Sequence, residues 1–190
     1  MKRQSIRNHL QPYSILDRRK TTINHAFASA LALYDPYDDV LVSQAIKDLG
    51  QDPENDLICF YCDKRPAETW DHVFGLVKDG QYAGFGHTLG NLVPCCKQCN
   101  SEKGNKNWLE FLKSVIKDED KRLIKIAQME MYLGRYLPSQ FGSEQIRELC
   151  PEEFEELEML RKNILILMKK ADEVAETIRL KVRSRVEQKV

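Results

Sequence analysis

Cys59-Phe60-Tyr61-Cys62 and Cys96-Lys97-Gln98-Cys99 decide how this chain is read. Each pair sets two residues between its cysteines, and 33 residues, 63 to 95, separate the pairs. Thiolates are soft ligands, and two such pairs complete a tetrahedral zinc site with no open position. A closed site of this kind does not activate water, so the expected zinc is structural. It pins a small, glycine-rich region that burial alone would not hold together. Cysteines spaced in this way in a chain expected in the cytosol point to metal rather than to disulfides. Cys95 and Cys150 are left over and are read as small buried hydrophobes. Cys95 is also an alternative ligand, ranked below Cys96 because it breaks the two-residue spacing.

Around the first pair, Leu57 to Cys62 is β-prone and aromatic, and Thr69 to Val77 reads as another short strand. Gly80, Gly84, Gly86 and Gly90 then suggest a long, tightly turning hairpin loop. A helix is expected to begin near Cys96 and run through Asn105.

Outside this stretch the pattern is helical. Ile23, Ala26, Phe27, Ala30, Leu31 and Leu33 recur at helical spacing from Thr22 to Leu33, and Asp35-Pro36 breaks the run. A second helix covers Asp38 to Leu49 and stops at Gly50. Trp108 to Ile126 reads as one or two helices. Leu133 to Ser143, with Gly134, Pro138 and Gly142, is the linker candidate. Pro151 opens a long final helix, since proline is tolerated in the first turn. Leu157, Leu160, Ile164, Leu167, Ala171, Val174 and Ile178 form a heptad seam along it. The favoured reading of that seam is packing on the helix's own domain; a homodimer or a partner protein is the other. The expected fold is α+β, a small core at 57–110 between a helical region at 1–56 and another at 111–190.

The chain has 190 residues, with 42% hydrophobic and 31% charged, an ordinary globular composition. The densest apolar run, Ile164 to Met168, is far short of the roughly 20 residues that cross a bilayer, so no membrane contact is expected. The basic start, Met1 to Ser5, is not followed by an apolar stretch, so no secretory signal is expected and the cytoplasm is the expected location. Basic and acidic residues balance at 29 each. Basic residues gather at the ends: Lys2, Arg3, Arg7, Arg18, Arg19 and Lys20 against Asp17, and Arg179, Lys181, Arg183, Arg185 and Lys189 against Glu187. Such ends serve either as phosphate contacts or as solvated tails.

Trp70-Asp71-His72-Val73 is followed by Gly90-Asn91-Leu92-Val93-Pro94, then by Cys96-Lys97-Gln98-Cys99-Asn100 and Lys103-Gly104-Asn105-Lys106. This order resembles the HNH, or ββα-metal, nucleases, in the subclass stapled by four zinc-binding cysteines. The resemblance covers roughly residues 57 to 106. It implies a metal-dependent endonuclease hydrolysing DNA phosphodiester bonds, with His72 as the general base that activates water. It implies that Asp71 and Asn100 hold one divalent ion, and oxygen ligands suit magnesium or manganese. The third letter of the motif is here asparagine, which favours magnesium over zinc at that centre. Asn91, the middle letter, is expected to hold the hairpin loop through backbone hydrogen bonds and to help orient the histidine.

Strand alternation puts Asp71 and His72 on opposite faces, so for both to serve one site the strand must bend or end there. Lys103 lies three residues after Asn100 and is the first candidate for a phosphate contact, with Lys97 and Lys106 behind it. His87 is read as a loop histidine that binds a neighbour or substrate, and His9 and His25 are given no role. A site of this kind nicks one strand, and a double-strand break needs a second site. A restriction or phage-defence effector fits these expectations. The alternatives are a non-catalytic zinc module that binds nucleic acid and a nuclease subunit active only within a partner complex.

Overall fold

Short polar side chains set the starts of three helices. A computed structural model describes residues 3–8 and 10–187, so Lys2, His9 and Lys189 lie outside the described residues. The elements are α1 (Ile15–Leu31), α2 (Asp39–Asp48), β1 (Thr69–His72), β2 (Val77–Lys78), β3 (Gln81–Tyr82), β4 (Leu92–Cys95), α3 (Lys97–Lys103), α4 (Trp108–Val115), α5 (Glu119–Tyr136), α6 (Ser143–Leu149) and α7 (Pro151–Glu187). The Asp38 carboxylate accepts from the Leu41 amide at the start of α2. Asn107 does the same for Leu109 and Glu110 at the start of α4, and Asp118 for Lys121 at the start of α5. Each cap satisfies amides that the first helical turn leaves without partners. Asp118 is why the apolar run from Trp108 to Ile126 becomes two helices rather than one.

The helix and strand expectations need two corrections here. α1 begins at Ile15, not near Thr22, because its first turns are polar (Asp17, Arg18, Arg19, Lys20) and carry no apolar rhythm. Leu57 to Cys62 is not a strand. Only Ile58 pairs, with Pro66, and the chain then folds back so that the Cys59 amide bonds the Arg65 carbonyl at 2.8 Å. The Asp63 amide closes onto the Cys59 carbonyl at 2.9 Å, with Asp63 itself at a φ of 51°. Bringing two thiols of one pair together requires such a turn, and an extended backbone would hold them apart.

The chain divides into two compact units, one of Met1–Phe27 with Ile146–Val190 and one of Ala28–Gln145. Within the second unit α2 packs on α5, and α5 packs on the short 3-10 turn Leu89–Asn91. That close approach is open only to glycine at position 90, where a Cβ would collide with the backbone of Tyr136 and Leu137. Leu49, Phe60, Tyr61, Val93, Leu112, Met129 and Tyr132 form the buried core of this unit. Burying one such leucine, phenylalanine or methionine side chain contributes about 1.5–3 kcal/mol.

β1 pairs antiparallel with β4, Thr69 opposite Cys95 and His72 opposite Leu92. β2 and β3 form a second small hairpin inside the connecting segment. Asp79 and Gly80 both take positive φ in its two-residue turn, the geometry that Asp-Gly favours. α3 follows β4, so β1, β4 and α3 make a strand–strand–helix unit.

In the first unit α1 runs antiparallel to α7. Arg161 donates to Asn24 at 2.9 Å, and Asp172 reaches Ser14, Ile15 and Leu16. Pro151 opens α7, as its ring predicts. Cys150 just before it is exposed, a correction to its reading as a buried hydrophobe. Its place in the turn between α6 and α7, with its carbonyl accepting from Phe154, keeps it out of any core. Among the described residues no helix is long and apolar enough to cross a membrane.

The Asp172 carboxylate accepts the first two amides of α1, at 2.7 and 3.0 Å, and those bonds hold its pKa below the usual carboxylate value. A depressed carboxylate stabilises the fold above its unfolded pKa, and that contribution is lost as pH falls through the folded value. Asp172→Asn is therefore expected to melt below wild type at pH 7, with the gap closing toward pH 3. Circular dichroism melts across that range check it; a gap that stays constant with pH overturns the assignment.

Candidate functional site

Cys59, Cys62, Cys96 and Cys99 are all buried, and their four sulfur atoms lie within 4.8 Å of one another. Zinc–sulfur bonds of about 2.3 Å place tetrahedral sulfurs about 3.8 Å apart, so the cluster fits a zinc ion with little adjustment. Two local devices converge the thiols. The turn closing at Asp63 brings in the first pair. The second straddles the start of α3, where Cys96 is the N-cap and its sulfur accepts from the Cys99 amide.

The cluster takes Cys96 and not its neighbour. Cys95 is fully buried on the inner face of β4, with its sulfur 3.9 Å from that of Cys59. The contact lowers Cys59 to about 4 and raises Cys95, so Cys59 is the thiolate of the two and Cys95 keeps its proton. Arg65 donates to the Cys99 sulfur at 3.4 Å and to Gln98, setting a positive charge beside the sulfur cluster.

The β1–β4 ribbon has two chemically different faces. Thr69, Asp71, Val93 and Cys95 share one face by alternation, and Trp70, His72 and Leu92 the other. α3 lies along the first face. Asn100 donates to the Thr69 hydroxyl at 2.9 Å, and one helical turn later Lys103 meets Asp71 at 3.0 Å. Asp71 and Asn100 thus belong to the same face of the ribbon. Asp71 is 5% exposed and Lys103 1%. Tyr61 also donates to Asp71 at 2.9 Å, and Lys103 donates to the His72 carbonyl at 2.8 Å. Burial pushes the Asp71 carboxyl up, against the downward pull of Lys103 and Tyr61.

Lys103, expected at a phosphate, is therefore corrected: its ammonium is sealed against a carboxylate, a carbonyl and the Tyr61 ring. Lys97 and Lys106 do reach the surface. Lys97 pairs with Glu68 at 3.0 Å, and Lys106 bonds the Glu102 carbonyl at 2.8 Å.

On the opposite face the Nε2 of His72 lies 3.0 Å from the Nδ1 of His87. Burial first, then His87 and Lys103, lowers His72 to about 4, so its ring is neutral at pH 7. Asn91, fully buried, fixes the loop that carries His87. Its side chain accepts from the Phe74 amide at 2.8 Å and donates to the carbonyls of Phe74 and Gly86. The structure thus groups Asp71 with Asn100, Lys103 and Tyr61, and His72 with His87 and the Asn91 loop. Tyr61 and Arg65 carry contacts that the sequence reading did not assign, and His87, read as a loop histidine that binds a neighbour or substrate, has that neighbour in His72. Tyr61 sits inside the first cysteine pair, and nothing in the spacing of His87 marks it as a partner of His72.

Both contacts to Asp71 engage Oδ2, and the hydrogen bond from Asn100 uses its amide nitrogen. Oδ1 of Asp71 and Oδ1 of Asn100 lie outside those bonds, and two protein oxygens with water completing the shell are a common magnesium donor set. The fit is weaker than that of the thiols for zinc, because the Lys103 ammonium already balances the carboxylate. No family model, no curated protein and no solved structure matches the chain.

Cys99→Ser is expected to lose zinc and much of its thermal stability, whereas Cys95→Ala keeps about one zinc per chain. Elemental analysis of purified protein checks both; zinc loss in Cys95→Ala would show a different ligand set. Lys103→Met leaves the buried Asp71 with Tyr61 but without its opposite charge and is expected to cost about 3–5 kcal/mol. Adding Asp71→Leu to it is expected to recover most of that loss in denaturant titrations, and no recovery would contradict a direct pairing.

Proposed function

We propose that the chain is a nuclease of the HNH kind, cutting the phosphodiester backbone of DNA with His72 as general base. The observation that supports this most is local. β1 ends on Asp71-His72 against α3, which carries Asn100, in a strand–strand–helix unit closed by four converging thiols. Zinc in that cluster has a structural part only.

The chemistry divides among the chain's own residues. The neutral His72 ring takes a proton from water as the water oxygen attacks phosphorus. The bond from phosphorus to the 3′ oxygen breaks, leaving a 5′-phosphate, and the departing oxygen collects a proton from solvent. A pKa near 4 makes His72 a weaker base than an unperturbed histidine, at a cost in rate. Asp71 and Asn100 are the residues that would hold magnesium or manganese. When bound, such an ion supplies charge neutralisation at the phosphate and the leaving oxygen. Asn91 keeps the loop beside His72 in place. Lys97 and Lys106 are the surface cations proposed for phosphate contact. One site of this kind nicks, and α7 is the element proposed for pairing two copies.

A second reading has its own observation. The buried Asp71–Lys103 pair satisfies the carboxylate that the nuclease reading assigns to a metal. A non-catalytic nucleic-acid module, or a subunit silent until a partner draws Lys103 away, would be built this way.

Supercoiled plasmid with added magnesium or manganese separates these readings. Wild type is expected to nick, and His72→Ala at equal zinc content to lose about 10²–10⁴-fold in rate. Folded, zinc-loaded wild type that shifts DNA on a gel but never cuts it would overturn the nuclease reading in favour of the second.

A further inference from the structure

The face of the ribbon away from α3 opens onto a cavity of about 260 Å³ within the second unit. Its walls are Tyr37 and Ile46 on the α2 side, Trp70 and Leu92 from the ribbon, and His87 with Asp35 at one end. We propose that this cavity receives a single unstacked nucleobase, from a nucleotide next to the one whose phosphate lies at His72. The position of that phosphate rests on the nuclease reading; the base site itself does not.

Four observations favour a base over other occupants. His87 lines the cavity and holds His72 at 3.0 Å, so the cavity begins one imidazole away from the proposed base. Trp70, on the same face of β1 as His72, is 47% exposed, and Tyr37 is 78% exposed. Exposed aromatic rings beside an apolar hollow are the means by which proteins hold unpaired bases, because every base has a π-face. The one carboxylate in the wall, Asp35, is fixed rather than free. Its Oδ2 accepts from the Leu89 amide at 2.8 Å, and its own amide bonds the His87 carbonyl. Finally, Asp38 and Asp39 follow Tyr37 at the start of α2, and the Tyr37 hydroxyl donates to Asp39 at 2.9 Å. This acidic rim turns phosphates away, so an uncharged ring enters while the backbone stays on the histidine side.

A carboxylate only accepts, so Asp35 favours bases that present an exocyclic amino group. Adenine, cytosine and guanine do; thymine offers only its N3–H, flanked by two carbonyls that repel a carboxylate. A base in an intact duplex is stacked on both faces and paired along its edge, and it does not enter such a hollow. The substrate class is therefore single-stranded or locally unpaired DNA.

Binding can be read without cutting, by leaving out magnesium and manganese. Zinc-loaded protein is titrated with single-stranded oligo-dA, oligo-dC and oligo-dT and with a duplex of equal length, following tryptophan emission and anisotropy of labelled DNA. Single strands are expected to quench Trp70, a signal absent in Trp70→Phe. Oligo-dA and oligo-dC are expected to bind about tenfold tighter than oligo-dT, with the duplex weaker still. Val42→Trp, which fills the hollow, is expected to lose about tenfold in affinity at unchanged zinc content and melting temperature. Asp35→Asn is expected to erase the preference against thymine.

Equal affinity for single strand and duplex overturns the proposal, and so does a well-folded Val42→Trp that binds as wild type does. Quenching of Trp70 by an apolar peptide amide but not by oligonucleotides would assign the hollow to a protein side chain instead. Plasmid cutting that survives in the filled variant with unchanged binding would leave the nuclease reading standing and remove this one. Single-strand binding that depends on the cavity, without any cutting, would do the reverse.

Discussion

Four sulfur atoms within 4.8 Å of one another gather two segments that otherwise meet through a few backbone bonds and surface contacts, such as Phe60 to Pro94 and Arg65 to Gln98. One is a turn with little regular structure of its own, the other the first turn of a seven-residue helix. Two- and four-residue strands and so short a helix have too few internal bonds to persist alone in water. With the thiols converged, the turn presents Phe60 and Tyr61 to the core, and α3 is held against β1. Asn100 then meets Thr69, and Lys103 meets Asp71. The polar arrangement of the site is thus downstream of the cysteines, although none of them takes part in it.

The second constraint is electrostatic. A lysine and an aspartate, each at least nine-tenths buried, stand where a carboxylate alone would be poorly solvated. Such a pair costs desolvation on both sides, and its contribution to stability is small compared with the loss on breaking it. What it supplies is uniqueness: Lys103 has three partners in fixed directions, so α3 has one register on β1. The same ammonium weakens the claim of any cation on Asp71. Structural order and metal affinity draw on one carboxylate and oppose each other there.

Much of this was legible in the residues. The spacing of the cysteines gave the ligand set, including the choice of Cys96 over Cys95. The glycines from Gly80 to Gly90 marked a tightly turning loop, and the proline at 151 marked a helix start. The order of Asp71, His72, Asn91 and Asn100 located the ribbon and its helix. The missing parts are those set by tertiary partners. α1 extends through a polar stretch because Asp172, 157 residues away from Ile15, accepts its first amides. Lys103 reads as a surface cation because spacing along a helix does not say what lies across from it. His87 gains its neighbour only through the loop that Asn91 gathers, a set of backbone bonds with no sequence rhythm.

The pairing of residues 1–27 with residues 146–190 carries a consequence for the order of events during synthesis. Ile15 waits for Asp172, 157 residues later, which at about 5–20 residues per second is roughly 8–30 s. The unit from Ala28 to Gln145 is synthesised 27 residues ahead of Asp172 (172 − 145), a lead of about 1–5 s. The polar first turns of α1 wait without their cap in that interval. Those turns are therefore open to chaperones and proteases until α7 is made.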